Sequence, residues 1–257
     1  MSSMRKVNPG LLLGVVSCVV LLTTGLIPWL VGGAAGALLV AAQVLEPFPC
    51  RDLFRLRQIA LGSEYGRAVP YLQKWQRNLD IYVSGTPQPA DLVMLDRVVA
   101  ELNQLQSQLR ITVVSSAEVA NVRLQFLPYR EFGRDPLYIP ANKGFFAAEQ
   151  DQGALYQARI LIATDQVTQS ERNHLLREEL TQILGLFNDT PDPPESIFTS
   201  RWTQTQHYTA QDRRLIRLLY TPELWPGLPA EHVASAFCGR YFSFRCLVTR
   251  QPCQSVR

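Results

Sequence analysis

Histidine and lysine are scarce in this chain, and neither is grouped. The 257 residues include three histidines, His174, His207 and His232, and none has the spacing of a paired metal ligand, so we expect all three at the surface. Only three of the 25 basic residues are lysine, and the arginines are scattered among acidic residues. With a net charge of +3, this pattern favours a solvated surface, and no nucleic-acid partner is expected.

Cysteine occurs at five positions, and no two of them form a C-x-x-C pair. Cys18 lies in an apolar N-terminal run. The other four indicate two disulfides formed in an oxidising compartment, with three pairings open; they are Cys50, Cys238, Cys246 and Cys253. A four-cysteine zinc site and four free thiols in a reducing cytosol are the alternatives.

Charged residues are absent from residues 11–45. A membrane-spanning helix needs about 20 apolar residues, so this run predicts a single-pass anchor in the lipid bilayer. Arg5 and Lys6 precede the run, which favours a cytoplasmic N-terminus and a main domain on the extracytoplasmic side.

Two observations leave that interpretation open. Arginines also follow the run, at positions 51, 55 and 57, and they argue against this orientation, whereas the cysteine pattern supports it. A cleavable signal peptide, with Ala35-x-Ala37 as its cleavage site, is the alternative to an uncleaved anchor.

The chain is long enough for one principal domain behind this segment. We divide it into a neck with a short helix (46–74), a main domain (75–220) and a Pro-rich, Cys-containing extension that ends in a hairpin (221–257). Periodicity predicts strands at 78–84, 110–115, 122–126 and 158–163, helices at 89–105, 172–185 and 208–220, and a loop at 127–145. The last strand before the long helix is expected at a sheet edge, and this order of elements is typical of an α+β fold with a mixed sheet.

The helix predicted at 172–185 carries the candidate site. Thr168 and Glu171 form a capping box pattern at its start. Glu178 and Gln182 are one turn apart and point the same way. Glu179 points among leucines instead, so we expect its carboxylate to be partly buried, which raises the pKa of a carboxyl group unless a partner stabilises the charge.

This spacing resembles the zinc peptidase motif H-E-x-x-H-x-x-G, with Glu178 and Gln182 in place of the two histidines. The resemblance implies Glu179 as the general base, with Gly185 matching the motif glycine. The positions equivalent to metal ligands, including the two that follow the helix, are Glu178, Gln182, Asn188 and Asp189. Oxygen ligands favour hard ions such as Ca²⁺ or Mg²⁺ over zinc, so a divalent metal ion is the candidate cofactor.

Residues 75–220 as a whole resemble the zincin fold, and metzincins in particular. Ser196-Ile197-Phe198 is similar to the turn beneath a metzincin metal, with Phe198 in place of methionine. Thr209-x-x-Asp212 is similar to the pattern of the following helix. The closest resemblance is to a bacterial domain family of unknown function with the signatures R-E-E-L-T-Q-x-L-G-L-x-N-D, here at 177–189, and P-[DE]-S-[IV]-F, here at 194–198.

Three functions follow from these patterns. The first is a membrane-anchored, degenerate metallopeptidase that binds a peptide or protein along the former cleft. The second is an active metal-dependent hydrolase with Glu179 as its base. The third is a structural envelope protein, in which Glu178 and Glu179 are ordinary surface charges paired with Arg177 or with the arginines at 213 and 214.

Overall fold

A computed structural model of the protein describes residues 48–61, 70–136, 138–191 and 193–237. The predicted anchor at 11–45 and the C-terminal hairpin lie outside these ranges, as do Cys18 and the cysteines at 238, 246 and 253. Cys50 is the first residue of a helix. In the ranges given, no helix has the length and hydrophobicity needed to cross a bilayer. The anchor and the disulfides stay predictions.

The elements follow the predicted order, with additions. The helices are α1 (Cys50–Leu61), α2 (Pro89–Leu105), α3 (Gln169–Gln182), α4 (Ala210–Leu219) and α5 (Val233–Phe237), with a 3₁₀ helix at Tyr129–Arg134. The strands are β1 (Lys74–Trp75), β2 (Leu79–Gly85), β3 (Ile111–Val114), β4 (Val122–Leu127), β5 (Gly144–Asp151) and β6 (Ala154–Ala163). Helix α2 has the predicted bounds, while α3 and α4 end earlier than their apolar patterns do.

In the described ranges, one sheet contains six strands, and five of them run parallel in the order β1-β6-β4-β2-β3. Among these six strands, β5 pairs with β6 alone, and this pairing is antiparallel. Leu124 of β4 aligns with Val83 of β2 on one side and with Ile160 of β6 on the other. The fold is therefore a mixed α/β fold with a largely parallel sheet, and the predicted mixed sheet is confirmed.

Two predictions about the sheet are wrong. The chain is not a loop throughout 127–145, because it forms the 3₁₀ helix and then enters β5 at Gly144. Strand β6 is not at the edge, because it pairs with β4 and β5 along its two sides. Its side chains are buried on both faces: Ile160 and Ile162 join the main core, whereas Leu161 packs with Phe132 of the 3₁₀ helix. A strand buried on both faces is expected inside a sheet rather than at its edge.

The main core lies between one face of the sheet and the helices. Helix α2 packs against α3, and α1 packs against α4. Leu56 and Ile59 of α1 are fully buried in this core, together with Leu224 and Leu228 of the C-terminal extension. The predicted neck therefore supplies core residues, and the domain boundaries given above stay predictions.

Candidate functional site on helix α3

Helix α3 begins where the local sequence predicts. The backbone N–H of Glu171 donates to Thr168 Oγ1 (3.3 Å), and the backbone N–H of Thr168 donates to Glu171 Oε2 (2.7 Å), which is a capping box. Gly185 follows the helix with a φ of 114°, and a Cβ added there would lie 2.1 Å from the carbonyl oxygen of Gln73. Only glycine fits this turn.

Side chains from distant parts of the chain cap the other end of α3. The indole Nε1–H of Trp75 donates to the carbonyl oxygen of Ile183 (2.7 Å). The hydroxyl of Tyr220 donates to the carbonyl oxygen of Leu184 (2.9 Å). Carbonyl groups at a helix C-terminus have no partner within the helix. Strand β1 and the end of α4 therefore fix where α3 stops.

Charged side chains of α3 are bonded to α2. Arg172 donates to Asp91 (2.9 Å), with both side chains almost fully buried. Arg177 is fully buried and donates to Glu101 (2.7 Å). The guanidinium of Arg177 also lies over the ring of Tyr208, at 4.4 Å. Arg177 therefore connects α3 to α2, and its ion pair is with Glu101 rather than with Glu178 or Glu179.

Glu179 is buried, as its position among leucines predicts. Only 5% of the surface of Glu179 is exposed. The first residue of β5 lies directly against it, since a Cβ added to Gly144 would be 3.0 Å from Glu179 Oε1 and 3.1 Å from a methyl group of Leu175. The carboxylate therefore lies below the start of the edge strand, and its role as a general base stays a prediction.

Gln182 and Asp189, two of the four positions equivalent to metal ligands, are bonded to each other. Gln182 Nε2 donates to Asp189 Oδ1 over 2.8 Å. The opposite orientation of the amide would place its oxygen against the carboxylate, which is unfavourable. The amide nitrogen of Gln182 therefore points at the carboxylate of Asp189. A metal ion shared by these two residues would instead need the amide oxygen on that side.

Asn188 is bonded to α1. Its side-chain Nδ2 (3.1 Å) and its backbone N–H (3.0 Å) both donate to the carbonyl oxygen of Ile59. In the described ranges, no three His, Cys, Asp or Glu side chains are close enough together to hold a metal ion. These donors do not fit a zinc site, which needs about four nitrogen, sulfur or carboxylate ligands around one point. Binding of a harder divalent ion stays a prediction.

His174 is not at the surface, so that expectation is wrong for this residue, whereas His207 and His232 are exposed. Its imidazole Nδ1–H donates to the carbonyl oxygen of Thr205 (2.9 Å), which fixes the tautomer in the neutral ring. Nε2 lies 3.4 Å from Glu178 Oε2. Burial lowers the pKa of His174. The residues that cover it follow about 30 positions later, so local spacing carries no signal of its burial.

The turn Ser196-Ile197-Phe198 is bonded to α4. Ser196 Oγ–H donates to Asp212 Oδ1 (2.6 Å), and the backbone N–H of Ile197 donates to Asp212 Oδ2 (3.2 Å). Asp212 is also the third residue of α4 and accepts from the backbone N–H of Thr209, the predicted cap. Two motifs that the sequence shows as separate therefore share one buried carboxylate.

The edge strand β5 adjoins α3 and is open on one side. The backbone N–H of Ala163 donates to the carbonyl oxygen of Lys143, and bonded pairs alternate along an antiparallel ladder. The backbone groups of Phe146 and Ala148 therefore point away from β6, where no strand from the described ranges pairs with them. The ring of Phe146 stacks on that of Phe187 after the Gly185 turn (5.4 Å between centroids).

A protein-family model matches residues 55–238, which extend from α1 to just beyond α5. Its description is "Protein of unknown function (DUF2927)". This chain belongs to the DUF2927 family. The predicted membership of a family of unknown function is confirmed. That the R-E-E-L-T-Q signature at 177–189 is characteristic of this family stays a prediction.

Other comparisons add a structural likeness. No curated protein matches the chain. Among solved structures, one titled "Structure of myroilysin" matches 58% of this chain and 95% of its own, with 11% sequence identity and a TM-score of 0.38. At this level of similarity the two proteins need not share a site or an activity.

Proposed function

We propose that this protein is a membrane-anchored, extracytoplasmic module with a zincin-like fold that binds a peptide or protein segment and does not hydrolyse it. The observation that carries the proposal is the hydrogen bond between Gln182 and Asp189. In zinc peptidases the equivalent side chains converge on the ion that activates water. In this protein two of them bond to each other, and Asn188 bonds to α1.

The arrangement around α3 supports a zincin-like fold. Parallel strands are followed by the antiparallel edge strand β5 and the inner parallel strand β6, and then by α3, a glycine turn at Gly185 and a buried turn at Ser196–Phe198. The strands before the helix, the glycine turn and the buried turn are parts that the resemblance implies, but β6 rather than the edge strand directly precedes α3. The sheet and α3 form a rigid base on which a binding site can persist after the catalytic ligands are lost.

The open side of β5 supports peptide binding. An extended peptide can add to an exposed sheet edge through main-chain hydrogen bonds. Phe146 and Ala148 offer backbone N–H and C=O groups of the required spacing. Edge strands are usually blunted by proline or charge, and the stretch Gly144–Ala148 has neither.

The anchor and the location rest on the sequence. Residues 11–45 carry no charge, and the basic residues ahead of them favour a cytoplasmic N-terminus. Four cysteines beyond this run favour an oxidising compartment, where two disulfides would form.

The test is a binding screen of the full-length protein in detergent against a library of random, unstructured peptides. Ala148→Pro removes one outward N–H from β5. It should lower the affinity for the selected peptides about tenfold, because one hydrogen bond to the peptide is lost and the proline ring occupies the open edge. The control is Val113→Pro on β3, at the opposite edge of the sheet, which should leave peptide affinity unchanged.

Each outcome is decisive. Equal losses in the two proline variants, or no binding by any peptide, would overturn the binding function. Cleavage of the peptides that stops in Glu179→Gln would favour the active hydrolase. If no peptide is bound or cleaved, and Glu179→Gln changes neither result, the structural envelope protein is favoured.

A further inference from the structure

Helix α1 exposes one face that the core does not use. Arg51, Phe54 and Arg57 lie within about 120° of each other around the helix axis, with Phe54 in the middle, because successive residues are about 100° apart. Arg51 and Phe54 are exposed, Phe54 by 55%, and Arg57 is half-buried. The opposite face, with Leu56 and Ile59, is fully buried in the main core. Helix α1 therefore cannot turn this surface inward.

The chain itself limits how far this face can be from the end of the uncharged run. That run ends at Leu45. Only three residues later, Phe48 is buried in the main core, with 5% of its surface exposed. Three residues of extended chain span at most about 11 Å. The headgroups extend about 5–8 Å beyond the hydrocarbon. If residues 11–45 cross the bilayer, as the proposed function holds, Phe48 must therefore lie close to the headgroups. The same holds for the start of α1, two residues later.

The chemistry of the face fits a lipid surface. Arg51 and Arg57 form no ion pair with any residue in the described ranges. Guanidinium groups bind phosphate through paired hydrogen bonds. An exposed aromatic ring between arginines is typical of helices that lie in a membrane interface.

We propose that the α1 face formed by Arg51, Phe54 and Arg57 docks on anionic phospholipid headgroups of the membrane that holds the anchor. Phe54 inserts between lipids, and the two arginines bind phosphate groups. This inference rests on the proposed anchoring. It also explains the arginines that follow the uncharged run, because lipid phosphate compensates charges that otherwise oppose the predicted orientation.

The experiment uses the full-length chain, reconstituted in vesicles of phosphatidylcholine with or without phosphatidylglycerol. Phe54→benzoylphenylalanine is irradiated, and phospholipid adducts are measured by mass spectrometry. The matched control is Val93→benzoylphenylalanine on α2, where the native side chain is 70% exposed and lies in a different helix. The adduct yield at position 54 should be about tenfold higher than at position 93 in the vesicles with anionic lipid.

A second variant tests the arginines. Arg51→Gln/Arg57→Gln should weaken docking about 30-fold, since each basic residue near an anionic surface contributes roughly fivefold to association. Equal adduct yields at positions 54 and 93 in protein that alkaline carbonate does not extract would overturn the docking and leave the anchor intact. Extraction of the protein by carbonate would overturn both. Equal yields with and without phosphatidylglycerol would overturn the choice of an anionic lipid.

Discussion

Gly144 controls how closely β5 approaches the candidate site. Its backbone lies against Glu179 and Leu175, and a methyl group there would be 3.0 Å from a carboxylate oxygen and 3.1 Å from a methyl carbon. These distances are shorter than ordinary van der Waals contact. Neither neighbour can retreat easily, because both are buried on α3.

We therefore expect Gly144→Ala to lower the free energy of unfolding by about 1–3 kcal/mol, as overpacking of a filled interior does. Denaturant unfolding measures the change. Gly133→Ala is the control, because a Cβ there meets no atom within 4 Å, and it should leave stability unchanged or slightly raised. Similar losses in the two variants would show that the contact with Glu179 is not tight.

At the scale of single residues, local spacing predicts some environments and not others. The burial of Glu179 follows from its direction on the helix, because leucines at matching positions share that direction. The burial of His174 does not follow, because Thr205 and its neighbours cover it from about 30 residues away. The bond of Asn188 to Ile59 is still more remote, since 129 positions separate the two residues.

At the scale of elements, the helix starts could be predicted and the edge strand could not. The capping boxes at Thr168 and Thr209 each involve residues three positions apart, so the sequence displays them. Strand β5 depends on pairing with β6, and its sequence has no regular alternation. Strand β1 has two residues, too few for any periodic signal.

The turn at Ser196 and helix α4 should depend on each other. Asp212 is fully buried and accepts hydrogen bonds from Ser196, Ile197 and Thr209. Ser196→Ala removes one donor to this carboxylate and should cost about 1.5–3 kcal/mol, the range for a hydrogen bond to a charged group.

Thermal or denaturant unfolding of Ser196→Ala tests this dependence. The control is Ser235→Ala, because Ser235 is exposed and its hydroxyl donates to the carbonyl oxygen of His232, the residue before α5. That change should stay within about 0.5 kcal/mol. A Ser196→Ala protein as stable as the control would show that the Ser196 hydroxyl does not hold the turn to α4.

At the scale of the whole molecule, Lys74 ties the sheet to the end of α4. Its Nζ donates to Gln108 Oε1 (3.0 Å) and to the carbonyl oxygens of Leu219 (3.0 Å) and Leu224 (2.8 Å). Burial lowers the pKa of Lys74 from 10.5 to about 8. Between these two values the unfolded chain binds a proton that the folded protein does not.

Stability should therefore rise with pH over this interval, because the unfolded state binds more protons. The free-energy cost of burying charged Lys74 is fully present below pH 8. Raising the pH from 7.5 to 9.5 should therefore increase the free energy of unfolding by about 2 kcal/mol. Denaturant unfolding across this range measures the slope, and Lys74→Met should flatten it while lowering stability at every pH. An equal slope in Lys74→Met would assign the effect to other groups.

The two side chains that cap the end of α3 also set an order of events during synthesis. Trp75 is made before the helix, but Tyr220 is made 36 positions after Leu184, whose carbonyl it satisfies. Domains are completed as the ribosome delivers the chain from its N-terminus. The last turn of α3, with Gln182 and Asp189 beside it, therefore stays unfinished in the nascent chain until α4 has emerged, and any chain that stops short of residue 220 carries this site on a frayed helix end.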